Sequence, residues 1–222
     1  MGNIKSGNLS DTIYQYLLNM ILSMEVKPGD RIPEAKIADL FGVSRTPIRD
    51  AMRMLANDGI ITIYPNRFAE VARWSEEAVE QIGVLRVQLD ILATKLAVFN
   101  GANSEFANML EHSKQCLKAA LNGDSATRIK EDCEFHLALS EISKNKQLLA
   151  TQKSVYLKIE FLQSWRANFL QEPEEQHLQH QEIYNALLER NSKKAIRLVT
   201  EHNMHFHDLE KKYPLSVFLD IS

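Results

Sequence analysis

The sequence predicts a mainly α chain in two parts: residues 1–74, three short helices and a β-hairpin, and residues 75–222, an antiparallel bundle of six or seven helices. Two observations set that class. Hydrophobic residues make up 45% of the 222, with only 8 Gly and 6 Pro, a balance suited to helices rather than to turn-rich sheet. The hydrophobic period also changes near residue 74: short helical patterns and a strand-like pair precede it, and a spacing near 3.6 dominates after it.

Each element has its own signature. Ile13, Leu17, Met20, Ile21 and Met24 recur at helical spacing and predict a first helix over about 9–24, ended by the turn Lys27-Pro28-Gly29-Asp30. Pro33 opens a second helix over EAKIADLF, and Gly42 is suited to close it in the left-handed conformation. In GVSRTPIRDAMRMLANDG, Ser44 or Thr46 can cap a third helix, Pro47 fits its first turn, and Gly59 ends it. Ile48, Met52 and Leu55 form its apolar stripe, while Arg45, Arg49 and Arg53 form a basic one. IITIY and FAEVA, separated by Pro65-Asn66-Arg67, read as a hairpin. Three helices and a hairpin are the layout of a winged helix. Beyond Ser75 the pattern predicts helices over about 75–100, 103–122, 125–144, 146–170, 174–190 and 192–212. Their separators are Asn100-Gly101, Asn122-Gly123, Asn145, Pro173, Asn191-Ser192 and Pro214, and connections this short favour an antiparallel bundle.

Composition narrows the function classes. No run approaches the ~20 apolar residues of a membrane span, and MGNIKSGNLSDTI lacks the apolar core of a signal peptide, so a cytoplasmic protein with no membrane partner is expected. Cys116 and Cys133 lie outside any CxxC spacing and read as ordinary thiols. The net charge of -3 does not advertise a nucleic-acid binder, but its distribution is uneven. Residues 1–74 hold 9 Lys+Arg against 8 Asp+Glu, which leaves 17 against 21 for the remainder. A local basic patch such as Arg45, Arg49 and Arg53 can bind phosphate even when the total is near neutral.

A short helix, a glycine turn and an Arg-bearing third helix match a helix-turn-helix, whose recognition helix enters the major groove by its N-terminal residues. Arginine can bond guanine in bidentate fashion, while hydroxyl side chains and a helix N-terminus hold phosphate. The stretch from about Leu9 to Ala72, and GVSRTPIRDAMRML above all, resembles the winged-helix domain of the GntR family of bacterial transcriptional regulators. That resemblance implies double-stranded DNA as partner and maps the contacts to Lys36, to Ser44, Arg45, Thr46 and Arg49, and to Asn66 and Arg67 at the wing tip. Two departures stand out. Lys36 replaces the usual arginine and loses its fork, and Phe68 replaces a common glycine in the wing.

In the second part, EDCEFH places Asp132 one helical turn ahead of His136, a spacing that by itself fits a packed core pair as well as half of a metal site. Helical faces sort the seven histidines. His136 shares a stripe with Leu139 and Ser143, His180 with Ile183, Tyr184 and Leu187, and His202 with Leu198, Val199 and Phe206, so these three are expected to point inward. His112 and His177 lack such a stripe, and His205 and His207 cannot both follow His202 into one core. One carboxylate and three imidazoles would form a mixed O/N site with open positions.

The region from about Glu77 to Asp208, through LRVQLDILATKLA, DCEFHLALSEISKN and HQEIYNALLERNSKKAIRLVTEHN, resembles the effector domain of the FadR branch of that family, the FCD domain. The resemblance implies Asp132, His136, His180 and His202 as ligands of one divalent transition metal ion (Zn, Ni, Mn or Fe). It also implies Arg86 and Asn145 as groups for a small carboxylate effector, although Asn145 equally suits a helix cap. Gln179 stands before His180 where the family often has Glu. A homodimeric regulator, as a repressor of a palindromic operator, is the expected function; a mononuclear metalloenzyme using the same four ligands is the alternative, but it leaves the winged helix without a role.

Overall fold

The computed structural model describes residues 6–65, 67–166 and 172–220. Its chain divides into two compact units, Met1–Arg73 and Trp74–Ser222. No helix among the described residues is long and apolar enough to cross a membrane.

The first unit runs α1 (Ser6–Leu22), α2 (Glu34–Phe41), α3 (Arg45–Asn57), β1 (Ile61–Tyr64) and β2 (Phe68–Val71). Ile13, Leu17 and Ile21 of α1 are buried, as are Ile48, Ala51, Met52 and Leu55 of α3, and these two stripes pack together. Gly42 closes α2 at φ 64°, ψ 35°, where its N–H reaches back to Ala38 and Asp39 carbonyls. The third helix starts with Ser44 at the cap position, its side chain making no cap hydrogen bond. The strands are antiparallel, pairing Ile61 with Val71 and Tyr64 with Phe68, and the Arg67 N–H donates to the Tyr64 carbonyl at 3.1 Å to close the turn. Arg31 bridges to Glu70 on the outer edge of β2.

The second unit is built from α4 (Glu76–Asn100), α5 (Asn103–Leu121), α6 (Ser125–Ile142), α7 (Lys146–Trp165), α8 (Pro173–Leu188) and α9 (Ser192–Phe206), followed by short 3-10 turns at Leu209–Lys211 and Leu215–Val217. Side-chain caps start four of these helices: Ser75, Asp124, Asn145 and Asn191 accept from N–H groups of the first turn. Helix α4 is the spine and packs on α6, α7 and α9; α5 packs on α6 and α8. One apolar cluster gathers Ala97, Phe106, Phe135, Leu139, Ile183, Leu187 and Val199 from α4, α5, α6, α8 and α9.

Two boundaries differ from the sequence expectation. The last helix stops at Phe206 rather than near 212, because Asp208 turns into the left-handed region at φ 54° and drops Leu209 into a cluster with Val87, Ile91 and Met204. Burial of one leucine there outweighs the helical pattern of the residues around it. The seventh helix ends at Trp165, with Arg166 already non-helical, and the remainder of the expected stretch, 167–170, lies outside the described residues.

Candidate metal centre and nucleic-acid face

Three helices converge on one buried group. Asp132 and His136 come from α6, one turn apart; His180 comes from α8 and His202 from α9. One ligand-type atom from each lies within 4.8 Å of all the others, and all four residues are buried. His136 Nε2 and His202 Nε2 face each other at 3.2 Å, and His180 Nε2 stands 3.6 Å from Asp132 Oδ1.

The surroundings orient the inward atoms. His202 Nδ1 donates to Gln179 Oε1 at 2.7 Å, which leaves its Nε2 with a lone pair. His180 Nδ1 lies 3.0 Å from the Ser113 hydroxyl, which also meets His177 Nδ1 at 2.8 Å, and the His180 ring stacks on Phe135 at 3.9 Å between centroids. His136 Nδ1 faces Asp90 Oδ2 at 3.5 Å. Asp132 accepts from Gln176 Nε2 at 2.6 Å and from Gln163 Nε2 at 3.0 Å, one amide for each oxygen. Imidazoles oriented through Nδ1 and a carboxylate oriented by amides are how proteins prepare ligands for an ion.

Electrostatics match that preparation. Burial, then the Arg86 charge, pushes His180 down to about 3; burial, followed by Arg86 and the other two imidazoles, holds His136 well below its ordinary value. Burial, then His180, does the same for His202. The three rings are therefore neutral at neutral pH, the form in which imidazole binds a metal. The donor set fits a divalent ion on one further count. His136 Nε2 and His202 Nε2 come within 3.2 Å of each other, so one small cation can reach a ligand atom of each.

A second buried polar group adjoins the first. Arg86, fully buried on α4, donates from Nε to the Tyr156 hydroxyl at 3.2 Å, and that hydroxyl donates to Asp90 Oδ2 at 2.6 Å. Arg86 Nη1 is 3.5 Å from His207 Nε2, and its Nη2 makes no hydrogen bond. His207, not His205, has entered the core beside His202, since the break at Asp208 frees it from the helical spacing. Gly83 makes the room: a Cβ there would stand 2.8 Å from His207 Cγ.

Asn145 is placed elsewhere. It is exposed, and its side-chain oxygen accepts from the Gln147 and Leu148 N–H groups at 3.1 Å, the cap role. Sequence reasoning overlooked Asp90, Tyr156, Gln152, Asn203 and His207, all buried. Arg86 and Asp90 at i and i+4 on an otherwise apolar face carried a readable signal; the others have meaning only once α7 and α9 are packed on α4.

On the first unit, Lys36, Ser44, Arg45, Thr46, Arg49 and Arg67 are all exposed, while Asn66 lies outside the described residues. Arg45 and Arg49 rise one turn apart from the start of α3, Arg49 Nε 3.8 Å from Glu34. Arg53, a turn farther on, is paired with Asp50 at 2.9 Å. Phe68 packs against Tyr64, ring centroids 4.8 Å apart, beneath the Arg31 guanidinium at 4.0 Å, so the residue that replaces a wing glycine braces the hairpin.

Comparison with known proteins agrees with both units. The model for bacterial regulatory proteins of the gntR family matches residues 9–71, and that for the FCD domain matches residues 81–205. The chain is 29% identical over 193 residues to the uncharacterized HTH-type transcriptional regulator YdhC of Bacillus subtilis (strain 168), covering 86% of each protein. It is also 29% identical over 197 residues to the Nta operon transcriptional regulator of Aminobacter aminovorans, covering 86% of this chain and 89% of that one. In fold it matches the crystal structure of a GntR transcriptional regulator from Rhodococcus sp. RHA1 with a TM-score of 0.77 at 20% identity, over 92% of this chain and 99% of that one. With a winged helix that matches one model and a helical bundle that matches the other, the chain belongs to the gntR family of bacterial regulatory proteins and carries an FCD domain: it is a transcriptional regulator, not an enzyme.

Proposed function

We propose that this regulator binds a palindromic operator as a homodimer, represses from it, and releases or retains it according to a small carboxylate bound at a metal ion in the bundle. The observation that carries the reading is the buried quartet Asp132, His136, His180 and His202, with ligand atoms within 4.8 Å and outward nitrogens turned to other partners. A divalent ion of the Zn, Ni, Mn or Fe kind suits three neutral imidazoles and one carboxylate, and when bound it supplies a Lewis-acidic anchor for an anionic oxygen. Arg86, with Nη2 unpaired in a fully buried position, is the second anchor for that carboxylate. Asn145 is not needed for it.

On the DNA side, Arg45 and Arg49 read base edges, Ser44, Thr46 and Lys36 hold phosphate, and the wing with Arg67 reaches the neighbouring backbone. Support for the dimer comes from α4, which exposes Leu85 (45%), Leu92 (42%) and Phe99 (87%) at seven-residue spacing on one face. A stripe of that kind suits a second copy. Repression is carried over from the family resemblance, and a dimer seated on the operator would exert it by excluding other proteins from the same DNA.

The test is a thermal-shift screen of small carboxylates with and without Zn2+, followed by operator binding with each hit. The expected result is a stabilisation that needs both ion and carboxylate, disappears in His202→Ala, and changes DNA affinity. Hits that stabilise equally in His202→Ala would contradict the reading.

A further inference from the structure

Asp90 is the most heavily engaged buried carboxylate in the bundle, and neither the metal quartet nor the anion site includes it. Its Oδ2 accepts from the Tyr156 hydroxyl at 2.6 Å and from Asn203 Nδ2 at 2.7 Å, and its Oδ1 accepts from Gln152 Nε2. The same Oδ2 stands 3.5 Å from His136 Nδ1, close but not hydrogen-bonded to it, and 3.8 Å from Arg86 Nε. Polar side chains therefore converge on it from α4, α6, α7 and α9.

Three consequences follow from elementary chemistry. A carboxylate beside Nδ1 favours the proton on that nitrogen, so His136 presents a lone pair from Nε2 toward His202 and the ion. Tyr156 links the same carboxylate to Arg86: Arg86 Nε donates to the phenol oxygen while the phenol donates to Asp90, which fixes the guanidinium plane and leaves Nη2 unpaired. Both amides must turn their NH2 groups to the carboxylate, which leaves Gln152 Oε1 and Asn203 Oδ1 as buried acceptors.

We infer that Asp90 is the positioning residue of this centre, setting His136 for the ion and Arg86 for the anion through one carboxylate. Resting on the metal reading above, the inference makes ion and effector sites depend on a common buried charge. Loss of that charge loosens both.

The experiment is competition for Zn2+ between a chromophoric chelator and the full-length chain, wild type against Asp90→Asn, combined with NMR of the imidazole protons in the Zn2+-loaded wild type. Asp90→Asn is expected to raise the dissociation constant for Zn2+ by about 10- to 100-fold, the usual effect of losing a partner behind a ligand. In the Zn2+-loaded wild type, where an ion on Nε2 leaves the proton on Nδ1, the Nδ1 proton of His136 is expected farthest downfield of the three ligand histidines, because the group it then faces is a charged carboxylate whereas His202 has an amide and His180 a hydroxyl. An unchanged Zn2+ affinity in folded Asp90→Asn overturns the inference. If that variant does not fold, a wild-type His136 proton that resonates upfield of the other two overturns it instead. Failure of the wild type to compete for Zn2+ at all overturns the metal reading itself, and is thereby distinguished.

Discussion

His180 shows how burial prepares an imidazole to act as a ligand. Fully buried against Phe135, it is pushed down to about 3 from an ordinary value of 6.5, and His136, His202 and His207 are also held well below theirs, in each case first by burial. With the ion removed, the folded chain keeps these rings neutral while the unfolded chain takes up protons below about pH 6.5. Their contribution to stability is thus present in full above that pH and is lost as the pH falls from 6.5 toward about 3. Thermal melts of chelator-treated protein from pH 8 to pH 5 are expected to show a steady midpoint at the alkaline end and a fall below about 6.5. A midpoint that rises on acidification would contradict the neutral, buried assignment. Arg45 carries the matching prediction on DNA. Arg45→Ala is expected to cost about 1 to 3 kcal/mol of specific binding where it reads a base, or to flatten the salt dependence where it holds a phosphate. Anisotropy titrations at several salt concentrations separate the two, and a variant with wild-type affinity and slope would remove Arg45 from the interface.

At the scale of elements, two helix features make separate predictions. Gly42 ends α2 at φ 64° with nothing within 4 Å of a would-be Cβ, so its value is conformational rather than steric. Gly42→Ala is expected to destabilise the winged helix by about 1 kcal/mol in urea denaturation. The exposed stripe of α4 makes the other prediction: Phe99→Glu, which puts a charge at a residue that is 87% exposed, is expected to leave the fold intact and convert the proposed dimer to monomer in light scattering. A variant that stays dimeric would move the interface elsewhere. The helix edges also show what periodicity can carry. The helix starts at Asn145 and Asn191 were readable because the side chain that marks a helix start sits next to that start in the chain. The end of α9 was not, because the left-handed turn at Asp208 answers to Leu209 packing against α4, a partner more than a hundred residues away.

For the molecule as a whole, the mainly α class and the wing were legible because period and punctuation are local properties, and because GVSRTPIRDAMRML concentrates donors at one helix start. The quartet was legible in a weaker sense. Faces sorted His136, His180 and His202 inward, but only family resemblance joined them, and only packing brings their ligand atoms within 4.8 Å. Asp90, Gln152, Tyr156 and Asn203 escaped notice because a polar residue inside a helix reads as surface until its partners are known. Gln179 is the instructive departure: where the family often has an acid, a neutral amide still receives the His202 Nδ1 proton at 2.7 Å. An ion held by the quartet would meet one less negative charge behind it, with His202 still oriented.

The central claim, that a buried Asp/His quartet in this regulator holds an ion, is tested most directly by elemental analysis after dialysis of wild-type protein loaded with Zn2+, compared with His180→Ala and His202→Ala. The expected result is about one equivalent of metal per wild-type chain and a clear loss in each variant, as for a four-ligand site that has lost one. Wild-type protein that retains no metal, or variants that retain as much as the wild type, would contradict it.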